Sequence, residues 1–345
     1  NLPASPAIMG NVALWKPASS AVLAPYFLMK IFKEAGLPDG VINFIPGSGA
    51  KVGPICMDDA NLAGIHFTGS TEVFQNMWTV VGQNIRKYKN YPRIVGETGG
   101  KDYIVAHNSS NLKKLVTASV RGAFEYQGQK CSALSRAYIP QSIWEDFKTK
   151  LLEETAKLKM GDVEDFHNFV NAVIDKNAFD SIKNYIDYAK SSQDAQILIG
   201  GNCDDTQGYF IEPTIIVAKD PHFKLMEEEI FGPVLTLYVY DDNKFEEILE
   251  TCDKTSPYAL TGAIFAQDRK AVRIALKKLE FSAGNFYIND KPTGSIVAQQ
   301  PFGGARGSGT NDKAGSYLNL IRWVSPRSIK ENFDSPESVE YPFMG

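Results

Sequence analysis

The chain has 345 residues, of which 43% are hydrophobic and 22% are charged, and its net charge is −4. This composition is typical of a globular protein, and the slightly acidic balance argues against binding to nucleic acid or to an anionic membrane surface. No apolar run is long enough to cross a bilayer, the four cysteines form no C-x-x-C pair, and the four histidines form no zinc motif. We therefore expect no membrane span, no metal site and a reducing compartment.

The first hundred residues alternate between strand and helix patterns. Short strands are predicted at residues 12–15, 41–45, 64–67 and 93–95. A helix is predicted over residues 19–35, where Pro25 marks the first turn or a kink. Ser70 is a suitable N-cap for a second helix, since an apolar face follows it at helical spacing. This alternation predicts a parallel sheet with helices on its faces.

The pattern restarts after Gly99-Gly100, where we place a domain boundary. Apolar residues from Leu112 to Phe124 recur at helical spacing. Further helices are predicted at residues 142–159 and 175–190, and strands near 196–199, 210–217, 234–240 and 261–266. A strand that leaves the body is predicted at residues 318–324, followed by a loose tail at 331–345. The chain is therefore expected to contain two α/β units.

Two short motifs in the first unit are compatible with phosphate binding. Gly47-Ser48-Gly49 with Gly53 is one residue too long for the Rossmann fingerprint, and a simple turn explains it equally well. Thr68-Gly69-Ser70-Thr71 joins a strand to a helix, so its backbone N–H groups and the helix dipole would face outward together. Taken alone, that second motif is more readily explained as an ordinary capped helix.

Two side chains are candidates for chemistry. Glu97, in Glu97-Thr98-Gly99-Gly100-Lys101, follows a buried strand, so it is either a desolvated general base or part of a surface turn. Cys131, in Gly128-Gln129-Lys130-Cys131-Ser132, lies among polar residues, which would favour a stabilised thiolate. The alternative for any lone cysteine is an inert core position, which is our expectation for Cys56, Cys203 and Cys252.

The order of these motifs resembles that of the aldehyde dehydrogenase superfamily over nearly the whole chain. The resemblance is carried by Trp15-Lys16-Pro17, Phe67-Thr68-Gly69-Ser70, Glu97-Thr98-Gly99-Gly100-Lys101, Gly128-Gln129-Lys130-Cys131, Glu229-Ile230-Phe231-Gly232-Pro233 and Pro301-Phe302-Gly303-Gly304. It implies an α/β fold in which residues 1–98 are an incomplete Rossmann-type NAD(P)-binding domain and residues 99–316 are the α/β catalytic domain. Residues 317–330 would form an oligomerisation arm strand in a homo-oligomer.

The resemblance also implies roles for individual residues. Cys131 would attack the aldehyde and Glu97 would activate the water that hydrolyses the resulting thioester. The cofactor would be bound by Lys16, Ser19, Gly69, Ser70, Glu229 and Phe231. NAD is the expected cofactor and NADP the open alternative, because Ser19 stands where many NAD-selective relatives have a glutamate.

Two segments narrow the resemblance to the members that oxidise glutamate γ-semialdehyde, namely Phe124–Ala133 and Gly284–Lys291. By that resemblance Ser132, Gly294 and Ser295 would bind the substrate carboxylate and Phe302 its aliphatic chain. A different aldehyde is the first alternative, and a non-catalytic nucleotide-binding or assembly scaffold is the second. The compartment would be the mitochondrial matrix in a eukaryote and the cytoplasm otherwise.

The family also has an N-terminal region that we expect to precede this chain. By the resemblance, that region contains the opening strands of the cofactor domain and an amide of the oxyanion hole, just upstream of Asn1. The 345-residue chain by itself is therefore expected to be weakly active or inactive, since one oxyanion donor contributes roughly 10²–10³ in rate.

Overall fold

The computed structural model describes residues 1–345. The helices are α1 (Ala4–Ile8), α2 (Leu23–Glu34), α3 (Gly49–Asp58), α4 (Thr71–Gln83), α5 (Leu112–Phe124), α6 (Trp144–Ala156), α7 (Lys176–Ser191), α8 (Lys224–Glu227), α9 (Phe245–Lys254), α10 (Arg269–Lys278) and α11 (Tyr317–Ile321). The strands are β1 (Ala13–Trp15), β2 (Ile42–Phe44), β3 (Gly64–Thr68), β4 (Arg93–Glu97), β5 (Asp102–Ala106), β6 (Leu134–Pro140), β7 (Ala195–Ile199), β8 (Cys203–Asp204), β9 (Phe210–Ile211), β10 (Thr214–Ala218), β11 (Val234–Tyr240), β12 (Tyr258–Ala259), β13 (Thr261–Phe265), β14 (Asn285–Ile288) and β15 (Ala305–Arg306).

A seven-stranded sheet organises residues 102–288. Its strand order is β14-β13-β5-β6-β11-β10-β7, and every neighbouring pair is parallel except the edge pair β10 and β7. Helices α7, α9 and α10 pack on one face around a core of 27 buried residues, and α5 and α6 pack on the other around 19. Because both faces are covered, the central strands are apolar on both sides, as parallel sheets require.

The first hundred residues form two smaller parallel pairs, β1 with β2 and β3 with β4. Helix α4 packs on β4 through a small cluster of Phe74, Val81 and Ile94. Helix α2 buries none of its residues, and Pro25 lies in its first turn, which is one of the two alternatives predicted. Leu23, Phe27 and Ile31 are more than half exposed. The α/β class is confirmed, whereas β1–β2 and β3–β4 form separate two-stranded sheets.

Several elements differ from the sequence-based prediction. The strand predicted at residues 318–324, and with it the arm strand at 317–330, is wrong: residues Tyr317–Ile321 form a short helix. The segment turns back onto the body because the Trp323 ring is buried beside Gly64 and His66. The predicted strand at 210–217 is divided into β9 and β10. The longer elements that were not predicted are β5, β6, β14, α3, α9 and α10, and the short α1, α8, β8, β12 and β15 were not predicted either.

Residues 325–345 form no helix or strand, and all of them are exposed. None of the helices combines the length and the apolar character needed to traverse a bilayer. The structure contains no group of three or more His, Cys, Asp or Glu side chains arranged to hold a metal ion.

Candidate active site

Cys131 lies in the loop between α5 and β6, against the glycine pair that follows β4. A Cβ atom added to Gly100 would lie 2.2 Å from the Cys131 carbonyl oxygen, so only glycine allows this approach. The preceding residues Tyr126, Gln127 and Gly128 all have positive φ angles. Gln127 stabilises this turn by donating its side-chain amide to the Ala172 carbonyl at 3.2 Å. The position of Cys131 is thus fixed by this close backbone approach and by the turn that precedes it.

Glu97 ends β4, and its carboxylate reaches the Pro301–Gly304 segment. Oε2 accepts a hydrogen bond from the Gly304 backbone N–H at 3.1 Å. Burial raises the pKa of this carboxyl to about 8, against the effects of that hydrogen bond and of Lys313. Glu97 is therefore a desolvated, half-buried carboxyl and not part of an exposed turn, and its role as general base stays a prediction.

Glu229 approaches the same glycine pair from the other side. Its Oε1 accepts a hydrogen bond from the Gly100 N–H at 2.9 Å, and burial raises its pKa. Phe231, with a positive φ of 59°, lies near it with 45% of its surface exposed. One cleft is lined by Gly100, Gly128, Lys130, Cys131, Ala133, Ser135, Glu229, Ile230, Phe231 and Gly232. The fold thus places Cys131 and Glu229 in one cleft.

The electrostatic environment of Cys131 is the opposite of the one expected from its sequence neighbours. Burial raises the pKa of the thiol to about 12, and the negative charges of Asp102, Glu97 and Glu229 act in the same direction. Lys130 does not offset them, because its ammonium pairs with Glu125 at 3.1 Å. The stabilised thiolate predicted from the motif is therefore wrong for this structure, in which the thiol is neutral near pH 7.

Two buried residues beneath the cleft were missed by sequence reasoning. The Lys101 ammonium and Oδ2 of Asp102 are both buried and have no hydrogen-bond partner. Burial, followed by the charge of Arg136, lowers the pKa of Lys101 to about 7, although Glu229 and Asp102 oppose the shift. Lys101 was visible in the Glu97–Lys101 motif, but nothing in the sequence showed that its side chain is buried.

The other residues predicted to bind the cofactor lie near the starts of two helices. Lys16 lies beside the start of α3, where its Nζ is 3.9 Å from the Cβ position of Gly49. The Ser19 hydroxyl lies 3.4 Å from the Gly47 carbonyl. Ser70 caps α4, as predicted, by accepting a hydrogen bond from Val73 N–H at 3.3 Å. These helix starts face solvent, since Ser48 and Ser70 are exposed.

The start of α4 is tied directly to the catalytic candidates. The Gly69 N–H donates to the Glu97 carbonyl at 3.3 Å, and the Thr71 hydroxyl accepts from the Gly99 N–H at 3.3 Å. These bonds connect the Thr68–Thr71 motif to the Glu97–Lys101 motif. The two motifs, separated in sequence, therefore form one continuous surface beside Glu97.

The residues predicted to bind substrate are distributed over two further segments. Ser132 directly follows Cys131 and is half-buried. Ser295 lies in the 289–301 loop, next to Gly294, and donates its hydroxyl to the Gln300 carbonyl at 3.0 Å. Phe302 exchanges two backbone hydrogen bonds with Ala314 and immediately precedes Gly303, where a Cβ would lie 3.1 Å from the Glu97 carboxylate. Phe302 is thus adjacent in sequence to the glycine that packs against Glu97, whereas Ser295 bonds within its own loop.

Residues 3–324 match the model of the aldehyde dehydrogenase family. The chain belongs to this family. The match includes every residue discussed above, from Lys16 to Phe302.

Among curated aldehyde dehydrogenases, the chain is 60% identical to the mitochondrial delta-1-pyrroline-5-carboxylate dehydrogenase of Dictyostelium discoideum and 50% identical to the human mitochondrial enzyme of that name. All of this chain aligns with each of them, and it spans 62% and 61% of their lengths. A crystal structure of the delta-pyrroline-5-carboxylate dehydrogenase from Mycobacterium tuberculosis superimposes with a TM-score of 0.94 at 51% identity, covering 100% of this chain and 63% of that one. The same enzyme bound with NAD has a TM-score of 0.94.

Proposed function

We propose that this chain forms part of an NAD-dependent aldehyde dehydrogenase that oxidises glutamate γ-semialdehyde, the open form of Δ1-pyrroline-5-carboxylate, to glutamate. The observation that carries the proposal is the placement of Cys131 in a cleft with Glu229, within range of the charge of Glu97. The names of the similar proteins from Dictyostelium, human and Mycobacterium tuberculosis support the substrate, and the NAD-bound Mycobacterium structure supports the cofactor.

The first chemical step assigned to this chain is attack by Cys131. The Sγ atom forms a bond to the carbonyl carbon, and the thiol proton leaves to a base. The pKa of Glu97, about 8, lies close to the working pH, so Glu97 can hold or release a proton there. Because the thiol itself is neutral, nucleophilic attack depends on such a base more than it would for a preformed thiolate.

The chain has residues suited to a dinucleotide. Lys16 places an ammonium beside the start of α3, and the Ser48 side chain makes no capping bond there, so N–H groups at this helix start lack a side-chain partner. The exposed start of α4 would add a second anion site. The Glu229 carboxylate would accept hydrogen bonds from a ribose. Bound NAD would supply the hydride acceptor. Position 19 has a serine and not the glutamate of many NAD-selective relatives, so NADP stays the alternative cofactor.

Attack by Cys131 gives a thiohemiacetal, whose loss of hydride to the bound cofactor would leave a thioester on Cys131. The last step assigned to this chain is hydrolysis of that thioester. A water oxygen attacks the acyl carbon while Glu97 removes a water proton. The carbon–sulfur bond then breaks, and Cys131 recovers a proton as the thiol. Glu97 suits this role because it ends a strand, is half-buried and is oriented by the Gly304 N–H. Each turnover therefore returns both residues to their starting forms.

Substrate binding is assigned to three polar groups and one ring. The Ser132 hydroxyl, the backbone at Gly294 and the Ser295 hydroxyl would bind the distal carboxylate, while Phe302 would contact the methylenes. We further propose a homo-oligomer, and a mitochondrial location if the source is a eukaryote, since the Dictyostelium and human relatives are named as mitochondrial.

The test is a comparison of kcat/KM for glutamate γ-semialdehyde and for a straight-chain aldehyde of equal length. The enzyme carrying this chain should prefer the semialdehyde, because a site built to hydrogen-bond a polar group can reject an analogue without it by up to roughly 10⁴–10⁵. Ser295→Ala should reduce this preference selectively, and Cys131→Ala should abolish oxidation while NAD still binds. Equal efficiency on the two aldehydes would exclude the proposed substrate but not the family chemistry.

A further inference from the structure

The Glu125 carboxylate connects two loops of the site. One is the loop between α5 and β6 that contains Cys131, called here the nucleophile loop, and the other is the 289–301 loop, which is proposed to bind the substrate. Oε2 of Glu125 accepts hydrogen bonds from Lys130 at 3.1 Å and from Lys291 at 2.9 Å. Lys130 immediately precedes Cys131, and Lys291 lies three residues before Gly294. The two loops therefore share one ionic bridge, although they are about 160 residues apart in sequence.

The bridge is extended on the Lys291 side. The Lys291 ammonium also donates to the Thr293 hydroxyl at 2.8 Å and to the Thr293 carbonyl at 3.3 Å. Thr293 is the neighbour of Gly294, so these bonds fix the backbone just before the proposed carboxylate site. On the other side, a Cβ added to Gly122 of α5 would lie 3.6 Å from both Lys291 and Pro292, so the loop also packs on that helix.

The three side chains of the bridge are buried enough to keep a defined geometry. The side chains of Glu125, Lys130 and Lys291 are 24%, 34% and 21% exposed. Although burial acts against ionisation, hydrogen bonds from Lys291 and Lys130 hold the pKa of Glu125 below its ordinary value. Two charge-assisted bonds to one oxygen add geometric specificity. A partly exposed ion pair contributes little to the free energy of unfolding, so we expect this one to act by positioning the two loops.

We propose that Glu125 is a positioning residue that sets the separation between Cys131 and the 289–301 loop, and thereby the length of the carboxylate-bearing aldehyde that fits. The proposal rests on the proposed function for its kinetic readout. A displacement of about 1 Å can reduce catalysis by roughly 10²-fold, so loosening this bridge should matter most for a substrate held at both ends.

The kinetic experiment is a double-mutant cycle with Glu125→Gln and Lys291→Gln in the enzyme carrying this chain. Each single variant should raise KM for glutamate γ-semialdehyde about tenfold and flatten the preference among ω-semialdehydes that differ by one methylene, with KM for NAD unchanged. The double variant should be no worse than either single one, because both substitutions break the same bridge. The matched control is Glu154→Gln with Lys157→Gln, an exposed pair 2.6 Å apart at the C-terminus of α6 that makes no bond to Glu125 or Lys291.

A second measurement does not depend on the identity of the substrate. Amide hydrogen exchange over residues 289–301 should rise in both single variants and stay unchanged in the control pair. Unchanged exchange overturns the proposal, and so does an equal loss of kcat/KM on carboxylate-bearing and plain aldehydes, which would indicate a general structural role. If the wild-type enzyme shows no preference for the semialdehyde, the proposed function fails while the exchange result still decides the role of Glu125.

Discussion

At the scale of single residues, the charge around Cys131 is determined by groups that are distant in sequence. Asp102, Glu97 and Glu229 all act against ionisation of the thiol, and the adjacent Lys130 is engaged by Glu125. A base is therefore needed for each attack. Two predictions follow from this arrangement, one for Glu97 and one for Cys131.

Replacing Glu97 by Gln should remove a pH dependence from turnover. The carboxyl pKa is raised to about 8, so the base form increases as the pH rises through 8, and wild-type kcat should rise across pH 7–9. Glu97→Gln should lower kcat by about 10²–10⁴-fold and flatten that rise. Steady-state rates from pH 6 to 9.5 test this, and an unchanged profile would remove Glu97 from the role of base.

Alkylation of Cys131 by iodoacetamide should accelerate with pH without reaching a plateau below pH 9. The thiol pKa is raised to about 12, so the thiolate fraction grows by about tenfold per pH unit throughout that range. Peptide mass mapping identifies the modified residue, and a plateau near pH 7 would contradict a neutral thiol.

At the scale of elements, the turn between β4 and β5 packs against the loop that contains Cys131. Gly100→Ala would place a methyl group 2.2 Å from the Cys131 carbonyl oxygen, so one of the two backbones must move. We expect kcat to fall by roughly 10²-fold, with NAD affinity changed less than threefold. Gly82→Ala, in α4 where no atom lies within 4 Å of the added methyl group, is the control. A fully active Gly100→Ala variant would contradict the close approach.

Strand β3 connects both ends of the chain through His66. Its Nδ1 lies 3.1 Å from the Leu2 carbonyl, and its ring lies 5.0 Å from that of Trp323. Burial lowers the pKa of His66 from 6.5 to about 4, so the folded state disfavours the charged ring. The stability contributed by neutral His66 is therefore present above pH 6.5 and is lost as the pH falls towards 4.

Substituting His66 by Gln should reduce this acid sensitivity. Between pH 6.5 and 4, the titration of His66 should lower the wild-type free energy of unfolding by roughly 2–3 kcal/mol. The difference in free energy of unfolding between wild type and His66→Gln should therefore change by the same amount over this range. Urea unfolding at pH 7, 5.5 and 4 measures it. A constant difference at all three pH values would show that His66 is not the titrating group.

At the scale of the whole molecule, helix α2 leaves an apolar face uncovered. Leu23, Phe27 and Ile31 are 69%, 53% and 57% exposed, since the two-stranded pair β1–β2 offers too little surface to cover them. Contiguous exposed apolar surface of this kind promotes association. This exposed face is a property of the 345-residue chain, which spans about 62% of the length of the Dictyostelium relative.

The isolated chain should therefore associate in a concentration-dependent way. Phe27→Glu with Ile31→Lys should shift the sedimentation velocity distribution towards the monomer at micromolar concentration, because these substitutions interrupt the apolar face while allowing an i,i+4 ion pair. Phe166→Ser, at a 96% exposed position in a separate loop, is the control. If the double variant associates as strongly as wild type, α2 is not the contact surface.

The sequence by itself determined the elements whose signals are local. Helix α2 placed Pro25 in its first turn, α4 began at the Ser70 cap, and α5 spans the apolar stripe from Leu112 to Phe124. The order of motifs was enough to predict the family, which the match over residues 3–324 confirmed. Spacing and capping residues act over a few positions, so the sequence displays them directly.

Only the tertiary structure decided the features that depend on distant contacts. Strand β5 was not predicted because its residues are all buried and show no alternation, and residues 318–324 form no strand because Trp323 packs against Gly64. The neutral thiol of Cys131 and the ionic bridge at Glu125 likewise arise from residues that meet only after folding. Burial and charge depend on which surfaces come together, and that information lies in the packing rather than in any local segment.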